Sequence, residues 1–257
     1  MKEAIFKNGK IIQGDCLQYM KNMKDESVDL IVTSPPYNIG KEYEKIMPLQ
    51  EYVQWCETWL NELFRVSKPN GILWLNLGYV SVDNKGKAIP LPYILWDKIP
   101  FYIMQEIVWH YGAGVACKNS FSPRNEKWLF CVKNKNKYTF HLDKVRVPTK
   151  YPNQKKNGKL KCNPNGKNPS DVWDIPKVTS GKNRSSKERE KHPAQFPEAI
   201  INRILKCCSN ENDVVFDPFL GSGTTCAVAN KLNRNFIGIE LRDSYFDIAK
   251  ERLNSDS

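Results

Sequence analysis

The strongest constraint on the fold is an alternation of short β-branched apolar runs with stretches of helical periodicity, broken once by a long polar segment. Residues 28–32 (Val28-Asp29-Leu30-Ile31-Val32) read as a buried parallel strand. Residues 50–66 carry Tyr52, Val53, Cys56, Trp59, Leu60, Leu63 and Phe64 on one helical side. Pro69-Asn70-Gly71 punctuates the turn into a strand over 72–77. Further strands are expected over 11–13, 103–109 and 127–132, and helices over 16–23 and around 93–96. After Pro193 the alternation resumes, with helix 196–208, strand 214–217, helix 223–232, strand 236–240 and helix 244–253. This alternation predicts an α/β domain built on a mainly parallel sheet. From Asn134 to Glu190, Lys, Asn, Pro and Gly dominate, and order is expected only around Val172-Trp173-Asp174-Ile175-Pro176. A loop of that length in a compact domain is functional or disordered. The chain is therefore divided into residues 1–133, an insertion over 134–190, and residues 191–257.

Charge is concentrated in that insertion. Between Lys144 and His192 there are 14 Lys/Arg against 4 Asp/Glu, which is +10 of the chain's net +11. Such polarisation marks a phosphate-facing region on an otherwise balanced body, and it nominates Lys155, Lys156, Lys159 and Lys161 as phosphate contacts, to DNA if the resemblance given below holds. The competing reading is a solvated linker. The eight cysteines are scattered without a CxxC pair, and His110, His141 and His192 lie far from ligand-like spacing. No metal is implied, and reduced thiols are expected. No apolar run approaches the roughly 20 residues of a membrane span, and no signal-peptide pattern opens the chain. A cytoplasmic location with no membrane partner is the expectation.

Two short segments carry chemistry. The first, Asp217-Pro218-Phe219-Leu220-Gly221-Ser222-Gly223-Thr224-Thr225, follows a strand and opens a helix, so its glycines let backbone pass close under a ligand. Glu240 ends the next strand 17 residues beyond Gly223, where a carboxylate can accept hydrogen bonds from ribose hydroxyls. A nucleoside triphosphate would call for a lysine that is missing, and NAD for a third glycine that is Cys226 here. S-adenosylmethionine needs neither, and it is favoured over a dinucleotide. The second segment, Thr33-Ser34-Pro35-Pro36-Tyr37, directly follows a buried strand, where open α/β sheets bind ligands. Its two prolines hold the carbonyls rigid and outward. Ser34 Oγ and the Pro35 carbonyl could each accept one hydrogen of an exocyclic amine, and Tyr37 could stack on an extruded base.

These segments resemble the amino-methyltransferases of DNA. Thr33-Ser34-Pro35-Pro36-Tyr37 is similar to their motif IV, and Asp217-Pro218-Phe219-Leu220-Gly221-Ser222-Gly223 to their motif I. The order, with the catalytic motif first, then recognition region, then cofactor motif, resembles the beta class. Gly14-Asp15-Cys16-Leu17 resembles the family's N-terminal motif, whose Asp bonds the cofactor's adenine amino group. His192-Pro193-Ala194-Gln195-Phe196-Pro197 resembles the segment closing over its methionine end, and Arg124-Asn125-Glu126 lies in a region like motif VIII. The resemblance implies a Rossmann-like S-adenosylmethionine-dependent methyltransferase fold. Its sheet would be mixed, mainly parallel and seven-stranded, with a circularly permuted motif order and a basic target-recognition insertion. It implies catalysis by Ser34, Pro35, Pro36 and Tyr37. The cofactor would be held by Asp15, Cys16, Thr33, His192, Pro193, Phe196, Asp217, Pro218, Phe219, Gly221, Ser222, Gly223, Thr224, Thr225, Glu240 and Leu241. Double-stranded DNA would be bound with help from Arg124, by a monomer or homodimer, and a cognate restriction endonuclease could act at the same site.

Ser-Pro-Pro-Tyr is more typical of cytosine N4 enzymes and Asp-Pro-Pro-Tyr of adenine N6 enzymes, so Ser34 favours cytosine. The expected chemistry is in-line transfer without a covalent enzyme–base intermediate. A C5-cytosine enzyme would need a nucleophilic cysteine beside proline, and no Pro-Cys dipeptide occurs. Adenine N6 methylation, amide methylation of a protein glutamine, and an inactive DNA-binding relative are the alternatives.

Overall fold

The structure, a computed structural model, describes residues 2–114, 116–180 and 186–255. Its strands before the insertion are β1 (Lys2–Phe6), β2 (Gly9–Gln13), β3 (Val28–Thr33), β4 (Ser67–Leu77), β5 (Tyr79–Val82), β6 (Gly86–Pro90), β7 (Tyr102–His110) and β8 (Asn125–Val132). The insertion adds β9 (Lys155–Lys156), β10 (Lys159–Leu160) and β11 (Val172–Asp174), and the last part β12 (Val214–Asp217) and β13 (Asn235–Glu240). Helices are α1 (Cys16–Met20), α2 (Leu49–Val66), α3 (Leu91–Leu95), α4 (Glu198–Cys208), α5 (Thr224–Lys231) and α6 (Asp243–Ser255).

One sheet runs in the order β1-β2-β13-β12-β3-β4-β8-β7-β11. The pairs β2–β13, β13–β12, β12–β3, β3–β4 and β7–β11 are parallel, and β1–β2, β4–β8 and β8–β7 antiparallel. Seven strands from β2 to β7 make the expected mixed sheet. The count rises to nine because β1 and β11 are added at its two edges. β1 carries no apolar run because it is an edge strand turned to solvent, with Ile5 80% exposed.

Helices cover both faces. Met20, Tyr52, Cys56, Trp59, Leu60, Leu63, Leu91 and Leu95, from α1, α2 and α3, pack on Ile31, Leu73, Leu75 and Phe216 of one face. Ile200, Ile204, Ala227, Phe246 and Leu253, from α4, α5 and α6, pack on Leu30, Val32, Trp74 and Val215 of the other. The alternation of side chains across β3 and β4 that lets one strand feed two cores is what the pleat dictates.

Three element boundaries differ from expectation for local reasons. α1 stops at Met20 rather than at residue 23, and Arg65 donates to the carbonyls of Met20 (2.5 Å) and Met23 (2.9 Å) just past it. β4 begins at Ser67, and Pro69-Asn70-Gly71 forms a bulge inside it, seen as a register shift opposite Val28 and Leu30. α4 begins at Glu198 after Pro197 at its N-cap, which leaves Phe196 free to pack edge-on against Trp128 at 5.6 Å.

Residues 134–180 are more ordered than their composition suggests. β11 pairs in parallel with β7, setting Trp173 opposite Trp109. Trp173 stacks on Trp74 at 5.5 Å, and the Arg203 guanidinium sits 4.9 Å above its ring. Trp109 Nε1 donates to the Ile175 carbonyl at 2.7 Å. β9 and β10 form an exposed hairpin whose turn residues Asn157 and Gly158 have φ of 52° and 76°, the left-handed pair that a two-residue hairpin turn requires. Replacing Trp173 with Ala should cost about 3–5 kcal/mol of stability through the cavity left between Trp74 and Arg203. Urea denaturation measures this, and an unchanged midpoint would mean that β11 is not part of the folded core.

Candidate active site

The parallel strands β2, β13, β12, β3 and β4 all end along one edge of the sheet, and a cavity of ≈ 630 Å³ opens there. The expected catalytic residues Ser34, Pro35, Pro36 and Tyr37 line it. So do Asp15, Cys16, His192, Pro193, Phe196, Pro218, Phe219, Gly221, Ser222, Thr224, Glu240 and Leu241. Two segments more than 180 residues apart thus meet in one space, because β3 and β12 are neighbours. Thr33, Asp217, Gly223 and Thr225 do not line it. They form the wall behind, where Thr33 Oγ1 donates to Asp217 Oδ1 at 2.7 Å and all but Gly223 are buried side chains.

At the Gly-rich end, Gly221 (φ 54°) and Gly223 (φ 80°) adopt left-handed conformations that turn the backbone into the helix α5. A Cβ on Gly221 would lie 3.1 Å from His192 Nε2. Glu240 accepts the Gly221 N–H on Oε2 (2.8 Å) and the Arg242 N–H on Oε1 (2.9 Å), which fixes the carboxylate plane at the end of β13. Among the described residues it pairs with no cation. Burial pushes its carboxyl up to about 7, against the lowering effect of those two N–H groups. Asp217 is pushed up to about 6 by burial, against the hydroxyls of Thr33 and Thr225 and the Phe219 N–H. Asp15 caps α1 by accepting from the Gln18 N–H at 2.9 Å. His192 lies edge-on to Tyr245 at 4.4 Å and stacks near Tyr43 at 5.9 Å, and burial lowers its pKa to about 4.

At the other end lies a hydroxyl–amide cluster that sequence reasoning only half anticipated. Asn76, near the end of β4, donates its Nδ2 to the Lys127 carbonyl at 3.0 Å, which leaves Oδ1 as the acceptor facing Ser34 and Tyr37. Tyr37 Oη donates to that oxygen at 2.9 Å, and Ser34 Oγ lies 3.3 Å from it and 2.9 Å from Tyr37 Oη. Both hydroxyl protons are thereby engaged, and both oxygens keep lone pairs. Gly78 makes room for Tyr37, since a Cβ there would sit 2.7 Å from ring atom Cε2. The Pro36 carbonyl does not point outward as expected. It accepts from Tyr52 Oη at 2.8 Å, anchoring the loop to α2, while Pro35 lines the cavity.

Asn76, Trp109, Tyr111, Glu126 and Lys177 complete this end of the cavity. Asn76 could have been found as the polar residue interrupting the apolar run of β4. Lys177, inside the insertion, carried no such signal. Arg124 does not line the cavity. It sits between the lining residues Pro123 and Glu126, donating to the Pro123 carbonyl at 2.8 Å. Lys155, Lys156 and Lys159 lie on the β9–β10 hairpin and Lys161 follows it, all exposed and none in the cavity. The eight cysteines are free, six of them buried. Among the described residues no cluster of three metal-ligating side chains occurs, and no helix is long and apolar enough to cross a membrane.

The raised carboxyl of Glu240 gives stability a pH dependence of known sign. A carboxyl whose folded pKa (about 7) exceeds its ordinary 4.5 ionises at a cost in the folded state. That cost is absent below the ordinary value, grows as pH rises through the window, and is complete above the folded pKa, on the order of 3 kcal/mol. Glu240→Gln should therefore gain stability relative to the unsubstituted chain as pH rises through that window. Urea unfolding across it is the measurement, and a pH-independent difference would remove burial as the cause.

Comparison with known proteins agrees with this geometry. A family described as DNA methylase, the N6/N4 methylases, matches residues 28–251. The type II methyltransferase M.ScaI of Streptomyces caespitosus is 58% identical over 248 residues, covering 96% of this chain and 82% of that protein. Among solved structures, the PvuII DNA methyltransferase (cytosine-N4-specific) superposes with a TM-score of 0.74 at 19% identity, over 97% of this chain and 91% of the other. At that identity it speaks for the fold alone. The complex of M1.HpyAVI with SAM superposes at 0.62 and 26% identity, over 96% and 99%. The sheet, the cavity and these matches together assign the chain to the N6/N4 family of DNA methylases.

Proposed function

We propose that this chain transfers a methyl group from S-adenosylmethionine to the exocyclic N4 of a cytosine turned out of duplex DNA. The observation that carries the reading is the Ser34–Tyr37–Asn76 cluster, which presents two oxygens with free lone pairs in the same cavity as the Glu240 carboxylate. The cofactor end suits S-adenosylmethionine by its acceptors. Asp15 and Glu240 line it with Asp217 just behind, oxygens for the hydroxyl and amino groups of an adenosine. Glu240, with no cation on it, is an acceptor for ribose hydroxyls, and Asp15 for the adenine amino group. His192, Pro193 and Phe196, with the turn from Asp217 to Thr225, would enclose the rest. The bound cofactor supplies a methyl group activated by positive sulfur.

The residues of the chain do the rest by position. An aromatic amine is a weak nucleophile because its lone pair is delocalised into the ring. Ser34 Oγ and the Pro35 carbonyl take one amino hydrogen each, which turns the nitrogen lone pair out of the ring plane. They also meet the positive charge that grows on nitrogen as the nitrogen–carbon bond forms and the carbon–sulfur bond breaks, and the nitrogen then sheds one of its two protons to solvent. Asn76 keeps Ser34 and Tyr37 donating away from the base, so their oxygens stay acceptors. Cytosine rather than adenine rests on Ser34 standing where adenine enzymes more typically carry Asp. The family includes both chemistries. Residues 134–190 are read as the target-recognition insertion, with the β9–β10 hairpin laying Lys155, Lys156, Lys159 and Lys161 along the phosphate backbone and Arg124 nearby. As M.ScaI is a type II methyltransferase, a partner endonuclease cutting the same site belongs to this reading.

Ser34→Ala and Tyr37→Ala should each lower methyl incorporation into DNA at least about 100-fold, with cofactor affinity within a few-fold. Mass spectrometry of the digested product should show N4-methylcytosine, and N6-methyladenine in its place would reassign the base. Neutralising Lys155, Lys156, Lys159 and Lys161 should weaken DNA binding and flatten its dependence on log salt by about 3–4 units of slope. An unchanged slope would place the phosphate contacts elsewhere.

A further inference from the structure

Lys177 is the one residue of the 134–180 segment whose ammonium group is held inside the cavity beside the hydroxyl cluster. Its Nζ lies 2.9 Å from Glu126 Oε1 and 3.7 Å from the centre of the Tyr111 ring, with the Trp109 ring at 5.6 Å. Glu126 Oε2 in turn lies 3.5 Å from Tyr37 Oη. One N–H of Lys177 is engaged by the carboxylate and another faces the ring, so a third remains for a ligand. The fixing is unusual for a lysine. An ion pair, two aromatic faces and the neighbouring anchor of Ile175 on Trp109 hold a side chain that is ordinarily mobile.

We infer that Lys177 is a specificity-determining residue that donates a hydrogen bond to O2 of the extruded cytosine. The argument is one of matching edges. With the amino group held at Ser34 and Pro35, the remaining polar atoms of cytosine are its ring nitrogen and O2, both acceptors. Adenine offers a ring nitrogen beside its amino group but a C–H where cytosine has O2. An ammonium fixed at that place therefore gains a partner with cytosine and is left facing C–H with adenine. A site that offers a hydrogen bond only the right ligand can accept discriminates more strongly than one relying on shape. Glu126 places Lys177, and Lys177 reads the base. The inference deepens the cytosine reading of the same site and rests on it.

The test uses the full chain on a duplex carrying its methylation site, mapped beforehand on plasmid DNA. The target cytosine is replaced by a 2-aminopyridine C-nucleoside, which keeps the ring nitrogen and amino group but lacks O2. Methyl transfer by the unsubstituted enzyme should fall about 10- to 100-fold on this analogue. Lys177→Met should lose a similar factor on cytosine, with cofactor affinity within twofold, and should lose little more on the analogue. Lys177→Arg should recover part of the activity on cytosine. Losses from the substitution and the analogue that multiply would overturn the inference, as would an unsubstituted enzyme indifferent to O2. That last arm needs no variant to fold. An N6-methyladenine product would defeat the base assignment separately, before the analogue is used. A failed analogue experiment on a verified N4-methylcytosine product would defeat only the role of Lys177.

Discussion

The hydrogen bond from Thr33 to Asp217, across the parallel pair β3 and β12, is the seam on which the molecule is organised. To one side of it the sheet runs through β12, β13 and β2, and to the other through β4, β8 and β7. The loops leaving these two central strands therefore diverge, and the space between them is the cavity. Both partners are buried, so the bond is made where water cannot replace it. It sets the Gly-rich turn and the Pro-Pro loop at a fixed separation although they are far apart in sequence.

Charge divides that cavity. Asp15 and Glu240 line one end, and at the other Lys177 balances Glu126 beneath aromatic rings. Burial raises Glu240 and Asp217, and among the described residues neither pairs with a cation, so the acidic end keeps acceptor oxygens for a hydroxyl-bearing ligand. The neutral cluster of Ser34, Tyr37 and Asn76 stands near the other end. The placement of donors and acceptors is complete in the folded chain, as preorganisation requires.

How far the molecule could be read beforehand follows from how local each signal is. The turn at Gly221 and Gly223 and the loop at Pro35 and Pro36 are dictated by backbone chemistry within a few residues, and the strands feeding them are short apolar runs. Both were legible, and both meet in one cavity. β1 was not, because an edge strand facing solvent lacks the apolar run that marks a buried one. The β9–β10 hairpin did carry a local mark, Asn157-Gly158, but it was hidden among lysines in a stretch read as irregular. Lys177 had none. Its position depends on β11 docking at the far edge of the sheet, a long-range pairing whose local trace is the Trp173-Asp174-Ile175 apolar island.

The order of strands has a consequence for how the chain is made. β12 and β13 lie in the middle of the sheet yet follow every other described strand along the chain. While the ribosome is still translating the preceding residues, β2 and β3 each present a bare hydrogen-bonding edge with no neighbour to occupy it. The seam and the Glu240 carboxylate come into being only when β12 and β13 take their places between β3 and β2. The nascent protein must keep that gap from being filled by another chain, and it cannot acquire its ligand early. Binding competence arrives only with those two strands.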